Sequence, residues 1–458
     1  MQVISNTDTI CAIATPPGAG GIGVVRLSGP AAFDVLEKVW VGKVSHSKLK
    51  PRKLYLGEIS IPSYESRVTS HDKVMAVKMP APQTYTGQDV VELSCHGSQV
   101  VLRGILEACV EAGARIAGPG EFTRRAFLAG KMDLAQAEAV ADIIHATSER
   151  GARLAADQLG GRLSTEIGGI ASELASLRGE VEASIDFPEE GIEVTGSFDE
   201  RIAKIVSGIK NLAETYETGR LARDGIRVAI VGRPNSGKSS IMNSLAGIDR
   251  ALVHHEPGTT RDVIEECVSF DGLVFRLRDT AGIRNDAAEV ESMGIDRARE
   301  ELKLADVALV VFDGSRPFGA EDEEVLRRTE GVRSIFVINK SDLAQEFDSN
   351  SLGGREFIRV SAKTGDGVDD LADKLASVVL HNFSAQEGVT VTSGRHLAAL
   401  DESRARLEGA AKAYGGREPT ECVAQHLKGA QDSLGTITGQ VTTDELLDRI
   451  FSTFCIGK

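Results

Sequence analysis

The chain has 458 residues, 41% of them hydrophobic and 26% charged, with a formal net charge of −15. That length calls for more than one domain, about three by the usual prior, and the composition is that of a soluble globular protein. No apolar run approaches the roughly 20 residues of a membrane span, and charge of this sign excludes broad electrostatic capture of nucleic acid, so any RNA contact needs a local basic patch. The opening residues, Met1 to Asp8, have neither a basic start nor an apolar core, so no signal or transit peptide is expected. Cys11, Cys95, Cys109, Cys267, Cys422 and Cys455 are scattered and form no C-x-x-C pair, which favours a reducing compartment and argues against structural zinc.

Residues 1–120 read as mixed α/β, with strands around Val74–Val77 and Val90–Leu93 punctuated by Pro16-Pro17-Gly18, Gly20-Gly21 and Gly118-Pro119-Gly120. In Cys95-His96 the adjacent side chains of a strand face opposite ways, so a structural role is expected for both. From about 121 the period becomes helical. Leu163, Ile167, Ile170, Leu174, Leu177, Val181 and Ile185 recur at helical spacing and mark one apolar face of a long helix. The pairs Gly160-Gly161 and Gly168-Gly169 would kink it or allow close packing, and Phe187-Pro188 ends it. A further helix is expected around 198–218. From 225 to 383 strands at Val228–Val231, Val274–Arg278, Val307–Phe312, Ile335–Ile338 and Phe357–Val360 alternate with helices, which predicts a mostly parallel, doubly wound sheet. Helical segments return over 384–458, at Cys422–Leu427 and Glu445–Phe451. The expected division is therefore 1–120, 121–224, 225–383 and 384–458. The two helical parts either pack as one domain, with the 225–383 domain inserted between them, or stand as separate pieces.

Gly232-Arg233-Pro234-Asn235-Ser236-Gly237-Lys238-Ser239 fits the G-x-x-x-x-G-K-[ST] phosphate loop, between a buried strand and a helix that continues through Ser240. Its glycines let backbone N–H groups close on phosphates at a helix N-terminus. Lys238 would neutralise the β/γ-phosphates and Ser239 would ligate Mg²⁺. Gly258-Thr259-Thr260 is a switch turn in which Thr260 is best placed to complete the Mg²⁺ shell. Asp279-Thr280-Ala281-Gly282 would hold a Mg²⁺-bound water through Asp279 and sense the γ-phosphate through the Gly282 N–H. Asn339-Lys340-Ser341-Asp342 would read guanine, because Asp342 accepts from N–H donors that adenine lacks. Ser361-Ala362-Lys363 would bring a backbone N–H to O6. GTP binding is the expected outcome. Ile283 stands where a water-orienting glutamine would follow, so hydrolysis needs another group; Glu289 and Glu291 are the carboxylates within reach of that switch.

Beyond these loops the chain resembles the MnmE (TrmE) family of tRNA-modifying GTPases, within the TrmE-Era-Der-like class, over essentially its whole length. The matching segments are Ala14–Gly18 with Gly20–Arg26, Pro119–Phe127, Asp133–Ala139, Ala183–Phe187 and Cys455-Ile456-Gly457-Lys458. The resemblance implies an α/β and α+β multidomain protein: an N-terminal tetrahydrofolate-binding-like domain that dimerises, a helical domain, and an inserted Ras-like P-loop G domain. It further implies that, with the FAD-bearing flavoprotein MnmG in a heterotetramer, the homodimer adds an aminomethyl or carboxymethylaminomethyl group to C5 of the wobble uridine of certain tRNAs. The carbon donor would be 5,10-methylene- or 5-formyl-tetrahydrofolate, and the setting cytoplasmic.

For the sites, the resemblance implies K⁺-dependent GTP hydrolysis across facing G domains, with K⁺ held by Asn235 and by carbonyls of His254, Glu256 and Thr259. The loop His254-His255-Glu256-Pro257-Gly258 as a whole would border the nucleotide, although Pro257 fixes a backbone angle there. Glu291 matches the catalytic glutamate and Arg284 the switch arginine. Arg26, Glu92, Lys131 and Lys458 would form the folate pocket. Cys455 is either a buried structural thiol or a residue required for tRNA modification; Gly457 and Lys458 are wrong for a prenylation signal. Arg124-Arg125 and the group Arg220, Arg223 and Arg227 are the candidates for RNA contact. Two rival readings stand beside this one: a GTPase switch for ribosome assembly or stress, and a folate enzyme merely regulated by GTP. The N-terminal segment and Cys455–Lys458 are what an assembly switch would not need.

Overall fold

A computed structural model describes residues 7–61, 70–190, 197–248, 265–279, 301–380 and 388–458. It divides into two compact units, one built from Met1–Ala141, Leu159–Ala171 and Gln431–Lys458, the other from Asp142–Gln158 and Ser172–Ala430.

In the first unit, strands β1 (Ile10–Ile13), β2 (Gly20–Ser28), β3 (Trp40–Val41), β4 (Tyr55–Ile61), β5 (Ser70–Met79), β6 (Val90–Gly97) and β7 (Arg115–Ile116) form one sheet in the order β3-β4-β5-β6-β2-β1-β7. Every pairing is antiparallel except β1 with β7. The two-residue period explains its faces. Val25, Leu27, Ile59, Val74, Ala76, Val91 and Leu93 are buried in one core with the helices Ala32–Val39 and Gln99–Glu111. Residues one position along, Arg26 on β2 and Glu92 on β6, are cross-strand partners on the opposite face. The Cys95–His96 expectation holds in that way: Cys95 is buried and donates to the Gly23 carbonyl, whereas His96 is exposed beside Asp72. Residues 455–458 return to this unit, where Ile456 bridges to Pro119 just before the helix Glu121–Leu128.

In the second unit, β8 (Ile226–Val231), β9 (Glu265–Phe270), β10 (Leu273–Asp279), β11 (Val307–Asp313), β12 (Ser334–Asn339) and β13 (Phe357–Val360) form a sheet in the order β13-β12-β11-β8-β10-β9. All five expected strands are present and pair in parallel. Every residue of β11 is buried, as a strand covered on both faces requires. An additional edge strand, β9, runs antiparallel to β10 and was not expected from its acidic start.

The helix expected at 198–218 is two helices, Phe198–Glu214 and Tyr216–Asp224. The break falls at Thr215, whose hydroxyl donates to the Leu212 carbonyl and accepts from the Val391 N–H, taking a neighbour from outside the helix. The long helix spans Arg162–Asp186, and Leu163, Ile167, Leu174, Leu177 and Val181 are buried as expected. Gly168 and Gly169 neither interrupt it nor admit a close neighbour, since a Cβ at either would meet nothing within 4 Å. Among the described residues, no helix is long and apolar enough to cross a membrane.

Candidate active and ligand sites

The phosphate loop joins β8 to the helix Lys238–Ile248, and two of its glycines are required by packing. A Cβ on Gly232 would lie 2.3 Å from the Val311 carbonyl, and one on Gly237 (φ +92) would lie 2.1 Å from Asn339 Nδ2. Only a bare backbone can run here, which leaves a cradle of N–H groups at a helix start that fits phosphate. Lys238 is buried, and its ammonium donates to the carbonyls of Gly232 (2.9 Å) and Arg233 (3.0 Å). Ser239 is exposed in the first turn. Ser236 is fully buried, and its carbonyl accepts from Asn339 Nδ2 at 3.0 Å.

The base-reading turn is tied to this loop. Asn339 spans the gap, donating to Ser236 and accepting the Ala362 N–H at 3.1 Å, while Ser244 Oγ holds the Ala362 carbonyl at 2.9 Å. Asp342 is exposed, with one carboxylate oxygen oriented by Ser361 Oγ at 2.7 Å. Lys340 donates both to the Asn235 carbonyl (3.0 Å) and to Asp313 (2.7 Å). Lys340 and Asn235 both adopt left-handed backbone angles, φ 63 and 62, a cost that persists where surrounding contacts impose it. Burial pushes the Asp313 carboxyl up, yet hydrogen bonds from Lys340 and Ser315 outweigh it and hold the group below the usual carboxylate range.

One contact of the loop had no signal in the sequence. Arg233 pairs at 3.1 Å with Asp322, 1% exposed, which also accepts from the Gly319 N–H at the start of the helix Ala320–Arg328. Burial lifts the Asp322 carboxyl above its ordinary value, against the pull of that N–H and of Arg233. The sequence separation of 89 between the partners makes the pair invisible to spacing arguments.

His254, His255, Glu256, Pro257, Gly258, Thr259, Thr260, Thr280, Ala281, Gly282, Arg284 and Glu291 lie outside the described residues, and Asp279 is described only as the last residue of β10.

In the first unit, three of the four residues assigned to the folate pocket converge. Arg26 Nε donates to Glu92 at 2.8 Å, its NH1 reaches the Gly457 carbonyl at 3.4 Å, and its guanidinium lies 5.8 Å from the Phe122 ring centre. The Lys458 main-chain oxygen accepts from the Phe122 N–H at 3.1 Å. Gly457 (φ +98) has no room for a side chain, since a Cβ would lie 2.3 Å from the Ile13 carbonyl. Lys131 is exposed, with its stem against Gly87. From the loop that holds Gly87, Tyr85 bonds the Thr123 hydroxyl at 2.9 Å. Cys455 is exposed, so the buried structural thiol is not what is found; its carbonyl accepts from Gly120 N–H at 3.4 Å.

The arginines considered for RNA contact are mostly committed within the fold. Arg125 is 1% exposed and bonds Asp8 and Glu121; Arg124 bonds Asp448. Arg220 pairs with Asp306 and Arg223 with Asp142, leaving Arg227 exposed.

Two family models match the chain: one described as the N-terminus of the GTP-binding protein TrmE over residues 9–131, the other as the MnmE helical domain over residues 134–455. A protein of Heliobacterium modesticaldum named tRNA modification GTPase MnmE is 44% identical over 468 residues, covering 98% of this chain and 99% of its own. Proteins of the same name from Moorella thermoacetica and Syntrophotalea carbinolica are 43% and 42% identical. They cover 98% and 99% of this chain, and 99% and 100% of their own lengths.

Proposed function

The chain belongs to the MnmE family of tRNA modification GTPases, and we propose from that premise that it acts with MnmG on the wobble uridine of tRNA, using a folate one-carbon unit and K⁺-dependent GTP hydrolysis. It is a GTP hydrolase of tRNA modification, and GTP with Mg²⁺ belongs to that identity. The observation that carries the reading is the single hydrogen-bonded frame in which Asn339 and Lys340 tie the base-reading turn to the phosphate loop. In that turn Ala362, Thr364 and Gly365 donate their N–H groups within the protein, so the Lys363 N–H is the donor we assign to guanine O6.

Ser239 and Thr260 would hold Mg²⁺. Asn235 suits a K⁺ ligand: its side chain is exposed, and among the described residues no hydrogen bond occupies its amide. The carbonyls of His254, Glu256 and Thr259 would complete that set, and Glu291 and Arg284 would act at the γ-phosphate. When bound, Mg²⁺ and K⁺ supply positive charge against the charge developing on the phosphates, the role an arginine finger plays elsewhere. Arg26, Lys131 and Lys458 offer cations and Glu92 one acceptor, a donor set that suits a folate's carboxylates and pterin N–H groups. We assign Cys455, exposed beside them in sequence, to the modification step. The working assembly is a homodimer with MnmG, its FAD on the partner, and the division we adopt is 1–120, 121–224, 225–383 and 384–458.

The test is GTP turnover by the full chain in KCl and in NaCl at equal ionic strength, together with nucleoside analysis of tRNA from cells lacking the gene. Faster turnover in KCl and loss of the wobble modification are expected. Equal rates in both salts would remove the role given to Asn235, and an unchanged nucleoside would remove the modification reading.

A further inference from the structure

We propose that the loop joining β3 to β4, residues Lys43 to Lys53, is the surface on which the first unit holds the phosphate backbone of its RNA substrate. The proposal rests on the reading that the chain acts on tRNA. In a chain of net charge −15, this loop carries Lys43, Lys48, Lys50, Arg52 and Lys53 and not one carboxylate. All five are exposed, and among the described residues none forms an ion pair with Asp or Glu. That contrasts with Arg124, Arg125, Arg201 and Arg220, each of which is held by carboxylates. Five like charges on one short loop repel one another, and a fold that leaves them unpaired retains a local attraction for a polyanion.

The loop is built rather than loosely draped. Trp40 Nε1 donates to the Val44 carbonyl at 3.0 Å, and its ring fills the space a Cβ on Gly42 or Gly57 would need. Leu49 is 4% exposed and anchors the middle of the loop in the core. The Lys50 main-chain N–H donates to Tyr55 Oη at 3.2 Å, and the Lys53 ammonium lies 5.6 Å from the centre of the same ring, so Tyr55 ties both ends of this stretch to β4. Arg52 adopts a left-handed φ of 57, its N–H on the Lys78 carbonyl and its guanidinium on that of Gln83. Strain of that kind persists only where neighbours over-determine it, and Lys50 and Lys53 on either side of Arg52 are both exposed. A fixed cationic ridge with one half-buried aromatic ring suits backbone phosphates of a folded RNA and offers little for reading bases.

The experiment measures binding of unmodified tRNA to the full chain by fluorescence anisotropy across a KCl series, for the wild type and for Lys48→Gln, Lys50→Gln and Lys53→Gln combined. Each phosphate contact contributes about 0.7–0.9 to the slope of log affinity against log salt. The triple variant should therefore lose about 2–3 from that slope and bind at least about tenfold more weakly at low salt, with GTP turnover and thermal unfolding unchanged. A triple variant with the slope and affinity of the wild type would overturn the assignment while the tRNA reading stands. A wild type that binds no tRNA even at low salt would instead remove the tRNA reading. Loss of binding to phosphatidylserine vesicles with tRNA binding unchanged would assign the loop to a membrane surface and overturn it for RNA.

Discussion

Lys340→Met keeps the stem of the side chain and deletes its ammonium, which tests whether the base-reading turn and the phosphate loop are mechanically one piece. Asp313, 2% exposed, would lose what is, among the described residues, its only cationic partner at hydrogen-bond distance, and keep two bonds from Ser315, at 2.6 and 3.0 Å. Removing one member of a buried pair costs about 3–5 kcal/mol. Because Lys340 is itself 31% exposed and Ser315 remains, the expected loss is nearer 2–3 kcal/mol on the scale of charged hydrogen bonds, about 1.5–3 kcal/mol. The Asn235 carbonyl loses a further contact worth about 1 kcal/mol, and this share acts on the loop that meets the phosphates. GTP should then bind about fivefold more weakly, at about 1.4 kcal/mol per tenfold. Urea-dependent hydrogen exchange in β11 and β12 reports the stability of this sheet alone, and titration with a fluorescent GTP analogue reports affinity. In a double-mutant cycle with Asp313→Asn, the two changes should couple by about 2 kcal/mol. Additivity within about 0.5 kcal/mol, or unchanged GTP affinity in Lys340→Met, would refute the reasoning.

Glu121 is 1% exposed; burial raises its carboxyl, but Arg115, the Gly118 N–H and Arg125 together draw it below its ordinary 4.5. A carboxyl depressed in the folded state contributes stability that is present above its unfolded value and lost as the pH falls through the folded one. Glu121→Gln should therefore be less stable than wild type by about 2–3 kcal/mol at neutral pH, with the gap closing below about pH 4 in urea melts; a gap independent of pH would contradict this. Among the thiols, burial pushes Cys11 up to about 12, Cys95 up to about 11 and Cys109 higher still, while Cys455 is exposed. Iodoacetamide should label Cys455 first in the native chain, read by peptide mass spectrometry, and early labelling of Cys109 would show that the first core is not packed as described.

Motifs that work through backbone geometry were the most legible. Gly237 and Asn339 can be placed from sequence because a glycine cradle and a base-reading asparagine each occupy a fixed point at a strand end. The interior of β11, apolar throughout, was equally plain. The edge strand β9 was hidden because Glu265 and Glu266 open it and its single antiparallel neighbour asks for little apolar surface. Arg124-Arg125 read as a basic patch because adjacency in sequence resembles adjacency on a surface. In a helix the two point about 100° apart, and Arg125 meets Asp8, 117 residues away, which no local pattern could indicate. The Lys43–Lys53 loop has the opposite history. Its charges are plain in the sequence, yet only Trp40, Leu49 and the left-handed Arg52 show that they stand on a fixed ridge.

The packing of Gly457 against Ile13 has a consequence for the order in which the protein can be made. Arg26 meets Gly457 across 431 residues of chain, so a ribosome translates the second unit between the two halves of that contact. Until residues 455–458 emerge, Phe122 lacks the partner for its N–H and Arg26 lacks the Gly457 carbonyl. A chain released early would carry a complete phosphate loop and an unfinished Arg26–Glu92 site. In that sense closure of the Arg26–Glu92 site waits on the arrival of the Cys455–Lys458 segment.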